Sequence, residues 1–310
     1  MGRMTQSATI ARLDSRALVR VEGADWRTFL QGLLSQDVES LQDGELRFAG
    51  LLNPQGRLLF DLFLIGRGDG VLLDVAAARR EDLIRRLTLY RLRAKVEIGA
   101  VDDGVLALWS GNSSSSRPER SEAPGPRGSS PVAWAPDRPF GPPGMTNEEG
   151  WAADPRLPEL GWRGYGVGAP AGQSVQGEEA YDAWRLGWGV PDPAKDCPFE
   201  SDYPIEANFD LLGGIDFKKG CFVGQETTSR MKRRGIVKSR MVGLSYDGDA
   251  PAFGAEILAG DLRAGEVRTA RDGKAIALVR LDRVIGGALT VDGRPVQVLN
   301  PNYIPIGQET

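Results

Sequence analysis

The chain has 310 residues, 41% hydrophobic and 26% charged, with a formal net charge of −4 and no histidine. That length and balance describe a globular protein with a real core, and the acidic excess argues against bulk attraction to nucleic acid or to an anionic membrane. No apolar run reaches the roughly 18 residues of a spanning helix, and the two cysteines, Cys197 and Cys221, make no disulfide framework.

The opening MGRMTQSATIAR is basic, lacks an apolar signal core and reads as a frayed end. Ala17 to Glu22 alternates into a strand, and Trp26, Phe29, Leu30, Leu33 and Leu34 fall at helical spacing. Asn53-Pro54-Gln55-Gly56 has the composition of a tight turn, and Arg57 to Ile65 reads as an apolar, central strand. Asp61 lies inside that strand, where a carboxylate is costly without a partner. It is either a functional acid or one member of a structural ion pair. Gly68-Asp69-Gly70 reads as a hairpin turn with a return strand over 71–75. Leu83, Ile84 and Leu87 predict a helix over 77–89. The alternation of Arg91, Arg93 and Lys95 with Leu92, Ala94 and Val96 predicts a strand over 90–98 with one wet, basic face. Val105 to Trp109 adds a further strand, and the order of elements is that of a ferredoxin-like half.

Residues 111–131 are serine, proline, glycine and charge, too poor in apolar surface to offset their chain entropy. The stretch 111–147 therefore reads as a flexible loop between two α+β units, at 8–110 and 148–235. Arg156 and Arg163 can anchor carboxylates or pin a turn through backbone carbonyls. Glu178 to Leu186 predicts a helix carrying Tyr181, Trp184 and Arg185, and Trp184 and Trp188 either stack on a heterocycle or pack in the core. After Gly235, short apolar runs and the turn dipeptides Asp247-Gly248, Asp272-Gly273 and Asp292-Gly293 predict a small antiparallel barrel or sandwich over 236–310.

The densest chemistry lies in 204–235, PIEANFDLLGGIDFKKGCFVGQETTSRMKRRG. Cys221 follows Lys218 and Lys219 and precedes a short helix that starts near Gly224. Adjacent ammonium groups and a helix start both favour thiolate over thiol. The competing reading is a small buried hydrophobe, since no histidine exists to serve as its base. Two cysteines without histidine cannot build a zinc or iron–sulfur site alone, so no metal site is assigned to the chain itself and Cys221 would supply one ligand to a shared or transient cluster. Phosphate-cradling glycine signatures are missing.

The string Lys219-Gly220-Cys221-Phe222-Val223-Gly224-Gln225-Glu226 resembles the K-G-C-[FY]-x-G-Q-E signature of YgfZ-type folate-binding proteins. That family includes mitochondrial iron–sulfur assembly factors, and it is similar in fold to the glycine-cleavage T-protein, an aminomethyltransferase. Glu206-Ala207-Asn208-Phe209-Asp210, Arg230 and Arg234-Gly235 fit the flanks of the signature. Leu13-Asp14 with Val21-Glu22-Gly23-Ala24-Asp25 resembles the family's opening, and Asp154-Pro155-Arg156 with Leu160-Gly161-Trp162-Arg163 resembles its D-P-R-x-x-x-L-G-x-R pattern.

The resemblance implies an α+β, T-protein-like fold: ferredoxin-like α/β units around a central folate cleft, plus a small C-terminal antiparallel β-barrel. It implies tetrahydrofolate, with or without a polyglutamate tail, bound by Asn53, Trp184, Arg185, Glu206, Asn208, Lys219, Gln225, Glu226 and Arg230. Cys221 and Asp61 would be the catalytic groups, and iron–sulfur enzymes or assembly proteins the partners. The basic run Arg230, Lys232, Arg233, Arg234, Lys238 and Arg240 suits a glutamate tail, RNA phosphates or plain solvent. Without interleaved aromatics, RNA ranks below folate.

Two departures stand out. Phe60-Asp61 keeps one acid where the T-protein has two, and Gly187 stands where the T-protein has a folate-facing glutamate. The first weighs against ordinary aminomethyl transfer, and the second against an identical pterin pose. The expected function is thus a tetrahydrofolate-binding accessory protein for iron–sulfur protein maturation or repair. The alternative is a folate-dependent aminomethyltransferase or demethylase. The expected location is the cytoplasm, or the mitochondrial matrix in a eukaryote, with no membrane partner.

Overall fold

The computed structural model describes residues 8–111, 150–170, 172–235, 237–284, 287–299 and 303–304, so the loop expected over 111–147 lies, from residue 112 on, outside the described residues. One five-stranded sheet runs in the order β3 (Leu46–Leu52), β4 (Leu58–Arg67), β5 (Gly70–Ala76), β2 (Arg16–Glu22) and β6 (Glu97–Val101), antiparallel throughout. Without β3, the order β4-β5-β2-β6 is the ferredoxin-like arrangement expected from the element order. Every residue of β4 from Leu58 to Gly66 is buried, as its near-continuous apolar run requires of a strand flanked on both sides. Helices α1 (Trp26–Gln31) and α2 (Arg80–Arg91) cover one face through Trp26, Leu30, Leu83 and Leu87.

The second sheet runs in the order β10 (Val175–Gln176), β1 (Ala8–Arg12), β7 (Val105–Ser110), β9 (Trp162–Tyr165) and β8 (Trp151–Ala153). The interior position of β1 corrects the reading of the chain's opening as a frayed end over residues 8–12. Ala8 to Arg12 pair with β7 from Arg12↔Leu106 to Ala8↔Ser110, and Ile10 is fully buried. The segment 8–110 therefore contributes strands to both sheets. Helix α3 (Glu178–Gly187) packs Tyr181, Trp184 and Leu186 into the shared core, close to its expected span.

A second correction concerns 90–98. Helix α2 continues to Arg91, and the next strand begins only at Glu97. Leu83 and Leu87, four apart, keep the helical face against the core, and Leu92 at φ 46 ends the helix in the left-handed region. The alternation of basic and apolar residues beyond it is not strand pleating.

The C-terminal unit is a closed barrel, β11 (Ser239–Tyr246), β14 (Lys274–Arg280), β13 (Leu262–Arg271), β12 (Glu256–Ala259), β15 (Leu289–Val291) and β16 (Arg294–Leu299). The turn dipeptides fall where expected: Asp272 and Asp292 both adopt positive φ, each followed by a positive-φ glycine. The short strand β15 and the helical turn α6 (Leu281–Val284) were not legible.

The two sheets are joined by a buried ionic lattice. Arg16 on β2 reaches Asp61 on β4 at 2.7 Å and Asp74 on β5 at 2.6 Å. From the other sheet, Arg163 on β9 bonds Asp74 and Asp154, each at 3.0 Å. Arg156 holds Asp154 through two contacts of 2.8 and 2.9 Å, and the Tyr165 hydroxyl donates to Asp74 at 3.1 Å. Arg156 and Arg163 thus anchor carboxylates, the first of the two readings open to them. Arg156 and Arg163 hold the Asp154 carboxyl well below the usual carboxylate range despite its burial. Its stabilisation is present above the unfolded carboxylate pKa and is lost as pH falls below it. Asp154→Asn is expected to cost about 3 to 5 kcal/mol, as removal of one partner of a buried pair does. Urea titrations should show that loss at neutral pH, and a stability curve that falls less steeply with acid than the wild type's.

Candidate functional site

The signature stretch folds as an irregular belt between the first sheet and the barrel. Phe209 stacks on Phe48 at 4.5 Å, and Gly214 is pressed against both rings, where a Cβ would lie 2.5 Å from Phe209. Ser35 Oγ donates to the Gly214 carbonyl at 2.6 Å, and the Asp216 and Val223 amides donate to the carbonyls of Ser35 and Gly32. The belt is thus stitched to the turn that follows α1.

Lys219 completes that attachment. Its ammonium donates to the carbonyls of Gln31, Leu34 and Gln36 at 2.7, 2.6 and 3.0 Å. These are orphan acceptors at and beyond the C-terminal end of α1, where a cation is favoured. Desolvation pushes the Lys219 pKa down to about 8. The lysine is a clamp for the loop, with its charge directed at backbone oxygen.

Cys221 is a free, exposed cysteine two residues further on. It is not the buried hydrophobe of the competing reading. It also does not sit at the start of the following helix. That helix, α5 (Gln225–Arg234), begins four residues later, with Gly224 as N-cap at φ 78. Gly224 is pressed onto the Asn53–Gly56 turn: a Cβ there would lie 2.4 Å from the Asn53 carbonyl oxygen. Asn53 holds the turn by accepting the Arg57 amide at 2.9 Å. Gln225 caps back, its Oε1 accepting the Phe222 amide at 3.3 Å, while Glu226 is exposed and 3.9 Å from Arg230.

The remaining predicted residues do not gather round one open cleft. Asp61 is engaged by Arg16; burial pushes its carboxyl up against the pull of that arginine. Trp184 is buried, donates its indole N–H to the Glu159 carbonyl at 2.9 Å and stacks near Trp109. Arg185 is fully buried between Asp182 and Asp196 at 2.8 and 2.9 Å. Asn208, at φ 62, donates to the Met241 carbonyl at 2.7 Å and fastens the belt to the barrel. In the basic run, Arg240 is buried and doubly bonded to Asp210 at 2.9 Å, so it does not belong to an exposed patch. Arg230, Lys232 and Arg233 are exposed.

Glu206 is the one predicted site residue that lines a cavity of about 500 Å³ between the belt and strands β13 and β14. Arg57, Asp202, Arg263, Arg268 and Arg280 also line it. Arg268 bonds Asp202 at 3.2 Å, and burial pushes the carboxyls of Asp202 and Glu206 up. Sequence reading missed Asp202 and Arg268. The only signal was an arginine directly after Val267 in a barrel strand, an inward charge needing a partner. Among the described residues no group of three His, Cys, Asp or Glu side chains could hold a metal ion, and no helix is long and apolar enough to cross a membrane.

Similarity to known proteins follows this architecture. A crystal structure of the glycine cleavage system aminomethyltransferase T from Bartonella henselae matches 96% of this chain and 87% of its own, with a TM-score of 0.69 and 18% identity. The fold is that of an aminomethyltransferase T. Residues 238–306 match the family model of the CAF17 C-terminal β-barrel domain. The mitochondrial iron–sulfur cluster assembly factor IBA57 homolog of Mycosarcoma maydis is 33% identical over 76% of this chain. That of Coccidioides immitis is 31% identical over 74%. The chain spans 57% and 55% of the lengths of these two curated relatives. The homologues are thus IBA57-type assembly factors.

The clamp geometry yields a direct test. Gly224→Ala forces a Cβ into the Asn53 carbonyl at a positive φ and should destabilise the chain by about 2 kcal/mol or more. It should also release the loop, so that Cys221 alkylation by a maleimide changes rate, whereas the exposed Glu226→Ala leaves both readouts unchanged.

Proposed function

We propose that this chain is a folate-binding accessory protein of the YgfZ and IBA57 type that supports maturation or repair of iron–sulfur proteins. The observation that carries the reading is the exposed Cys221 on a loop held at both ends, by Lys219 on the α1 carbonyls and by Gly224 on the Asn53 turn. A thiol so placed is accessible to a partner and restrained in position. It suits one ligand of a cluster shared with a partner protein, the remaining ligands coming from that partner. The cluster is cargo here, passing between proteins. The site of action would be the mitochondrial matrix in a eukaryotic source, the named relatives being mitochondrial, and the cytoplasm otherwise.

The first-expected folate set does not fit, because Asp61, Trp184 and Arg185 are spent on internal partners. The cavity beside Glu206 fits better. Its volume is that of a ligand site, and the raised-pKa carboxyls of Asp202 and Glu206 offer hydrogen bonds to a heterocycle. Arg57 lines it, and Arg263 and Arg280 would exchange exposed ion pairs with Glu266 and Asp282 for the carboxylates of a glutamyl tail. An aminomethyltransferase remains the second reading, favoured by the fold and disfavoured by Gly187 and by the engagement of Asp61 with Arg16.

Two measurements test these claims separately. In cells lacking their own factor of this type, the wild-type chain should restore aconitase activity and Cys221→Ala should fail while folding normally; full rescue by Cys221→Ala refutes the thiol's role. Tetrahydrofolate titration followed by tryptophan fluorescence should saturate, and Glu206→Gln or Arg57→Ala should weaken it about tenfold, the effect of losing one charged contact. Glycine-cleavage turnover with purified partners, unaffected by Cys221→Ala, would establish the second reading instead.

A further inference from the structure

Residues 85–95, RRLTLYRLRAK, carry five cations and no acid in a chain of net charge −4. They form the last turns of α2 and the connection to β6. Leu83 and Leu87 turn into the core, but Leu89 and Leu92 do not. At 72% and 87% exposure they are the two most exposed large hydrophobic residues among those described. Leu92 holds φ 46 at the helix C-terminus, a place and conformation usually left to glycine. The chain thus ends this helix with a strained, fully projecting leucine.

The charges round these leucines are mostly unspent. Arg85 lies 3.2 Å from Asp82, whereas no ion pair joins Arg86, Arg91, Arg93 or Lys95 to a described carboxylate. The nearby acids are Asp82 and Glu97 at the flanks and Asp25, whose carboxylate accepts the Lys95 backbone amide at 2.8 Å.

A lone exposed leucine is ordinary. Two of them, three residues apart and set among five cations with no acid between, have the composition of an interfacial anchor. We propose that this end of α2 is a docking surface for anionic phospholipid bilayers. Leu89 and Leu92 enter the headgroup–acyl boundary, and Arg85, Arg86, Arg91, Arg93 and Lys95 meet the headgroup phosphates. The absence of any acid across eleven residues complements a continuous negative surface. Nucleic acid fits less well, because Tyr90, the one aromatic in the run, is half-buried and the exposed side chains are leucines that cannot stack on bases. The bulk charge pointed away from such a surface; its local distribution does not.

Flotation of the full chain with phosphatidylcholine vesicles, with and without phosphatidylglycerol, tests the proposal. The wild type should partition about tenfold more strongly onto the anionic vesicles and release as salt rises. Leu89→Gln with Leu92→Gln, and separately Arg91→Gln with Arg93→Gln, should each lower that partition several-fold to about tenfold, at unchanged melting temperature. No binding by the wild type, or binding that neither pair of substitutions lowers, overturns the proposal. Tighter binding to a single-stranded RNA oligonucleotide, sensitive to the arginines and indifferent to the leucines, overturns it in favour of a nucleic-acid surface.

Discussion

Three guanidinium groups and three carboxylates, Arg16, Arg156 and Arg163 with Asp61, Asp74 and Asp154, meet between the two sheets with almost no access to water. Dehydrating each ion costs several kcal/mol, and the lattice is tolerable only when every member is present and bonded. Phe63 adds an aromatic face beneath Arg163 at 3.7 Å. Apolar packing could hold two sheets at many relative positions; this alternation of charge holds them at one. The same lattice consumes the carboxylate of Asp61, which a strand-by-strand reading left open between chemistry and structure.

That allocation changes what the rest of the molecule can do. Asp61, Trp184 and Arg185 are all committed to internal partners, so none of the three is free to receive a ligand between the sheets. A hollow beside Glu206 and Asp202 lies where the belt meets the barrel. The glycines of the signature serve close approach: Gly214 against Phe209 and Phe48, Gly224 against Asn53. Lys219 neutralises a helix end. The motif is therefore largely a fastening, and it leaves the Cys221 side chain exposed.

What was legible depended on how local its cause was. The α3 span, the turn dipeptides of the barrel and the ferredoxin-like order follow from neighbours a few residues apart. The 90–98 strand failed because a run of alternating cations imitates the pleat, while the deciding contact, Leu83 and Leu87 on the core, belongs to helical period. The role of Ala8–Arg12 was invisible because its partners lie near residues 106 and 175. The acid at Asp61 was visible as a costly charge, but its partner at Arg16 was not, since sheet neighbours are set by topology. The cavity escaped for the same reason: Asp202 and Arg268 are 66 positions apart.

The interior place of β1 in the second sheet has a bearing on how the chain is made. Its flanking strands are β7 on one side and β10 on the other, so β1 waits for residue 110 and then for residue 176 before its edges are covered. The first sheet can close meanwhile from residues 16–101 alone. An apolar strand is left without a partner through that interval, exposed to pairing with neighbouring nascent chains. Synthesis is thus a stage at which this architecture is vulnerable.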